Sequence, residues 1–189
     1  MKLLFLLLLL GSSDLQNFYA ADAYAKCSEN DVYILRERSN IRGHYKDVAS
    51  ESNGAIISTA RINKFIGSAF LASPLRNSIY YFQNLINNVG HIFAELHESV
   101  IIELLQAYEL NRVRFRMWDY DDRITDIQIF VIGQDRITET EIFNGLAKDV
   151  MNIKFPDQLV SKIKFYNKNG ANTATRRLSV IKIQAFYVF

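Results

Sequence analysis

Two short stretches gather the side chains best suited to chemistry. Trp118-Asp-Tyr-Asp-Asp-Arg123 sets a large aromatic beside three carboxylates, Asp119, Asp121 and Asp122, and a guanidinium. Crowded carboxylates offer the oxygen ligands that a hard cation such as Ca²⁺ takes. The spacing, however, is not that of a calcium loop closed by glutamate. Aspartates also hold turns by accepting bonds from nearby backbone N–H groups, and Arg123 could grip one of them with two parallel bonds. The stretch is therefore read as a structural turn, Trp118 as packing, and no metal or other cofactor is expected.

The second stretch is His91, Glu95, His97 and Glu98. If it is extended, the even spacings put His91, Glu95 and His97 on one strand face. This is not the His-Glu-x-x-His pattern of a zinc site, and polar surface or a hydrogen-bonded loop histidine is the reading taken. The chain has no Gly-x-Ser-x-Gly nucleophile elbow and no phosphate-cradling glycine loop. It is expected not to be an enzyme.

Between residues 65 and 81 the sequence offers Phe65, Phe70, Arg76, Tyr80 and Tyr81. Aromatics with an arginine suit sugar stacking, contact with a membrane surface or a protein hot spot. The competing reading packs the same aromatics inward. Together with His91 they are the candidate ligand-binding residues.

The elements that must position these groups read as strands. Val113, Phe115 and Met117 alternate with Arg112, Arg114 and Arg116, the period of two of a half-buried strand with a solvated or anion-contacting outer face. Further strands are expected over 55–60, 99–104, 111–118, 127–132, 138–143, 149–155, 160–166 and 178–187. Turns are expected at 106–109 and 156–157, with an open loop at 167–170. Residues 61 to 98 read as short strands and long loops. Strands about ten residues apart, without amphipathic helices between them, imply an antiparallel sandwich. The last strand is so apolar that it should be covered on both sides.

Composition agrees. The chain has 189 residues, 49% of them apolar, with 13 Phe and 10 Tyr, and aromatics favour pleated half-buried surfaces. Its 22 basic and 20 acidic residues are interspersed and sum to +2, which leaves no nucleic-acid footprint. Cys27 is the single cysteine, so no intrachain disulfide can form. Met1-Lys2, the apolar run Leu3 to Leu10 and Gly11-Ser12-Ser13 have the form of a secretory signal peptide. The apolar run is far too short to span a bilayer, and no transmembrane helix is expected in the mature chain. Cleavage would make the protein secreted or lumenal; an intact start would leave it cytoplasmic.

The order Val100-Ile-Ile-Glu-Leu104, Ala107 to Arg123, Ile127 to Ile132, Lys154 to Phe165 and Val180 to Ala185 resembles a discoidin domain (coagulation-factor type C) of the galactose-binding-like superfamily. It is closest to the version found in BTB/kelch-type proteins, in which a strand ending Trp-Asp-x-Asp-Asp-Arg is typical. The resemblance is good over about 99–189 and weaker back to about 50. It implies an all-β, antiparallel eight-stranded jelly-roll β-sandwich over 50–189, preceded by the apolar segment 1–13 and an N-terminal extension over 14–49. It implies a non-enzymatic module that binds a carbohydrate or another surface ligand through loops at one end. The alternative is a protein-interaction or structural subunit of a larger assembly. Extracellular members carry a disulfide that this chain cannot make, and BTB-type members carry further domains.

Overall fold

The computed structural model describes residues 46–60, 73–80 and 89–189 in full and the backbone of 64–66. Segment 1–13, the extension as far as residue 45, Cys27, Phe70 and Tyr81 lie outside the described residues. Those described belong to one unit, Asn40–Phe189.

A 3-10 turn at Glu51–Asn53 precedes eight strands: β1 Ile56–Ile57, β2 Lys64–Ile66, β3 His91–Ala94, β4 Ser99–Met117, β5 Thr125–Gly133, β6 Glu139–Ala147, β7 Val150–Ala171 and β8 Leu178–Phe186. All pairings are antiparallel. The order is β2-β3-β8-β4-β7-β5-β6, with β1 on the first half of β4. The all-β antiparallel class expected from the sequence is the fold, and the apolar last strand lies between β3 and β4 as its composition required. No described helix is long and apolar enough to cross a membrane.

Two long strands replace four expected short ones. β4 runs through residues 106–109, where a turn was expected, and β7 runs through 156–157 and 167–170. Chain direction persists because each irregularity is absorbed as a register shift: between Glu103 and Tyr108, between Leu110 and Arg112, and between Asp126 and Ile127 on the β5 side. A bulge bends a strand and increases its twist without ending it. Pro156 falls inside the second of these shifts, where a residue without an N–H takes nothing from the ladder. The buried positions record the slip. Val100, Ile102, Leu104, Tyr108 and Leu110 point to the core with even numbers, then Val113, Phe115 and Met117 with odd ones. β1 pairs with the first half of β4 and β8 with the second, so the sheet curls around a core in which Phe115 meets Phe165 edge-on at 5.1 Å.

Short segments outside the strands are pinned to β8. The Asp47 carboxylate accepts the Ala185 N–H at 3.1 Å and faces the ammonium of Lys182 at 3.4 Å. Lys182, 5% exposed, also donates to the Leu75 carbonyl at 3.0 Å. Burial pushes the Asp47 carboxyl above its ordinary range, against the pull of Lys182. The Asn77 amide donates to Gly90 and Ile181 carbonyls at 2.6 and 2.8 Å, which fixes the approach to β3.

Candidate functional site

β3 opens with His91, Ile92, Phe93 and Ala94. Ile92 and Ala94 join the core, so the period of two turns His91 and Phe93 to the other side of the sheet. There they meet the connections that leave β4 and enter β8. Trp118 follows the last residue of β4 and is held by its N–H to the Ser179 carbonyl at 3.0 Å. The result is an open cleft of about 320 Å³ walled by His91, Phe93, Trp118, Tyr120, Arg123 and Arg177, with Asp121, Thr175 and Ser179 at its margins.

The aromatic wall is continuous. The His91 and Trp118 rings lie 4.4 Å apart at 44°, and Tyr120 stands edge-on to Trp118 at 6.1 Å. Across from them the Arg177 guanidinium covers the Phe93 ring at 4.3 Å and pairs with Glu95 at 2.8 Å. Arg123 is clamped by both oxygens of Asp121, at 2.9 and 2.5 Å, and donates to the Ser179 hydroxyl at 3.0 Å. That clamp holds the Asp121 carboxyl below the usual carboxylate range. His91 is 8% exposed and its Nδ1 has no hydrogen-bond partner. Burial and the positive charge of Arg123 lower its pKa to about 4, against a backbone hydrogen bond with Val89. At neutral pH the cleft therefore carries an uncharged imidazole ring, beside an immobilised guanidinium and an indole face. That set can stack on an apolar ring face and exchange hydrogen bonds with hydroxyl groups.

The sequence-derived residues divide. His91, Trp118, Asp121 and Arg123 come together here. Asp119 instead binds Arg116 at 2.5 Å, and Asp122 binds Lys148 at 3.1 Å. The three carboxylates thus answer to three different cations. Among the described residues no group of three or more His, Cys, Asp or Glu converges as a metal site. Of the ligand candidates from the 65–81 region, Arg76 pairs with Glu51 at 2.6 Å. Tyr80 lies under the Arg114 guanidinium at 5.0 Å and accepts its hydrogen bond, on the outer face of β4. Phe65 sits in β2 opposite Ile92 by backbone register. β3 ends at Ala94, so Glu95 and His97 do not share a strand face with His91. His97 has φ 65° and lies beside the Tyr166 hydroxyl at 3.3 Å. Phe93, Tyr120, Thr175, Arg177 and Ser179 were not singled out from the sequence. Phe93 carried a signal, being two residues from His91 on the same strand face. The 175–179 stretch carried none, because its place depends on the β3–β8 pairing.

No protein-family model and no curated protein matches this chain. Among solved structures, truncated AlyQ with CBM32 and alginate lyase domains is 18% identical over 51% of this chain and 26% of that one, with a TM-score of 0.45. The CBM32 of AlyQ in complex with 4,5-unsaturated mannuronic acid is 17% identical over 70% of this chain and 97% of that one, with a TM-score of 0.46. The family 32 CBM from C. perfringens NanJ in complex with galactose is 13% identical over 66% of this chain and 91% of that one, with a TM-score of 0.48.

Proposed function

We propose that this chain is a non-enzymatic carbohydrate-binding module whose ligand sits in the His91–Trp118–Arg123 cleft. The observation that carries the reading is the aromatic wall of His91, Trp118 and Tyr120, the last 63% exposed, set beside a guanidinium already fixed by Asp121. A sugar ring's C–H face would lie on that wall, with its hydroxyls toward Arg123. The connections that form the cleft lie at one end of the sheet, which suits a module that docks on a chain end or branch.

The test is retention of the folded protein on a broad panel of immobilised neutral and acidic oligosaccharides, compared with Arg123→Ala and His91→Ala. The expected result is retention on a restricted set of sugars that both substitutions abolish while thermal unfolding stays cooperative. Absence of retention across the panel by folded protein would overturn the assignment.

A further inference from the structure

Resting on the carbohydrate reading of the His91–Trp118–Arg123 cleft, we propose that Asp121 and Glu95 set its specificity: by occupying the two cleft arginines they make it a site for neutral sugars that turns away uronates. Arg123 and Arg177 both line the cleft. An arginine in an open cleft ordinarily marks an anion site, because its planar fork grips a carboxylate with two parallel bonds. Here both forks are taken. Arg123 sends Nε and Nη2 to the two oxygens of Asp121, at 2.9 and 2.5 Å, and Nη1 to the Ser179 hydroxyl at 3.0 Å. Arg177 brings Nε and Nη2 to one oxygen of Glu95, each at 2.8 Å, with its guanidinium over the Phe93 ring.

The backbone holds both pairs in place. Each arginine follows a residue at positive φ, Asp122 at 54° and Arg176 at 50°, a conformation that side-chain-bearing residues keep only where their surroundings impose it. The buried Asn167 amide donates to the Ala94 carbonyl at 3.1 Å and to the Arg176 carbonyl at 3.0 Å. The residues just before Glu95 and just before Arg177 are thus tied to one side chain.

The charges of the cleft therefore cancel. Two guanidiniums face two carboxylates, and His91, with its pKa of about 4, is uncharged at neutral pH. The flanking charges are engaged elsewhere: Asp122 pairs with Lys148, Asp119 with Arg116, and the Arg176 guanidinium donates to the Asn169 carbonyl at 2.6 Å. What remains for a ligand is the outer N–H groups of each guanidinium and the lone pairs of Asp121 and Glu95, whose side chains are 39% and 48% exposed. A hydroxyl both donates and accepts, so it can use both kinds of group, and its bond to a carboxylate is charge-assisted. A ligand carboxylate only accepts. It would meet two like charges and, among the described residues of the cleft, no cation without a carboxylate partner.

The test titrates the full chain at pH 7 with sugars matched except for oxidation at C6: galactotriose and tri-galacturonate, mannotriose and tri-mannuronate, cellotriose and tri-glucuronate. Trp118 emission and the amides of 118–123 and 177 report binding. The neutral member of at least one pair is expected to bind, and its oxidised counterpart to bind about tenfold more weakly or worse. Glu95→Gln, at an exposed position, frees the Arg177 fork and is expected to strengthen the oxidised member about tenfold, a gain that fades as salt rises. Glu139→Gln, which removes a carboxylate outside the cleft, should leave the preference as it was. An oxidised sugar bound as tightly as its neutral match, or a preference that Glu95→Gln does not move or that Glu139→Gln moves equally, would overturn the proposal and leave the carbohydrate reading standing. No binding by any of the six sugars would overturn both.

Discussion

His91 carries the sharpest consequence at the scale of single residues. Its folded pKa of about 4 lies below the ordinary histidine value of 6.5. The unfolded chain therefore takes up a proton at this residue between those values while the folded chain does not. Stability from the neutral imidazole is complete above pH 6.5 and is lost as pH falls toward 4. The difference amounts to about 3 kcal/mol at 1.36 kcal/mol per pH unit. Urea denaturation of the native chain and of His91→Gln at pH 7 and pH 4.5 should show the native chain losing more of its stability on acidification; equal losses would contradict a buried neutral imidazole. That Arg123 could grip one of the neighbouring aspartates was readable from adjacency alone; the structure makes that partner Asp121. The joining of this turn to His91 was not readable, because 26 residues separate His91 from Trp118 and only the β3–β8 pairing brings β3 beneath the turn.

Among the elements, β4 and β7 show both what alternation reveals and what it hides. The odd-numbered run Val113, Phe115, Met117 and the run Ile163, Phe165 are buried as their spacing required. The sequence offered Gln106 to Glu109 and Pro156-Asp157 as turns because polar residues and proline usually end strands. A bulge uses the same residues without ending the strand, and which outcome holds is decided by the facing strand. Phe115→Ala removes a ring fully buried against Phe165 and should cost about 3–5 kcal/mol. Trp118→Ala empties one wall of an open cleft and should cost less than about 2 kcal/mol. Similar midpoints for the two variants in chemical denaturation would show that Trp118 is core. Near the end of β7, Gly170 has φ 84°, and a Cβ there would meet the Arg176 carbonyl oxygen at 2.6 Å. Gly170→Ala should therefore lower stability by more than about 1 kcal/mol, visible as a fall in Tm.

For the whole molecule, the curled sheet leaves an open cleft where its connections meet and holds the flanking segments through β8. The Asp47–Lys182 pair is the clearest of these ties, since it joins segments at positions 47, 75 and 182 in a buried setting. Lys182→Met strands a buried carboxylate and should cost about 3 kcal/mol or more, whereas adding Asp47→Asn should restore part of that loss. A double variant no more stable than the single one would show that the pair is not the tie. The antiparallel β class was readable throughout, because it rests on repeated local alternation; the cleft was half readable, because it rests on which strands meet. The central claim is that sugar is held against Trp118, the chain's one tryptophan, so its fluorescence reports on the cleft without any label. Titration of the folded chain with the oligosaccharides that retain it should shift and saturate that emission at neutral pH, with the effect lost in Arg123→Ala. Binding that leaves the Trp118 emission unchanged, or that persists in Arg123→Ala, would contradict the account.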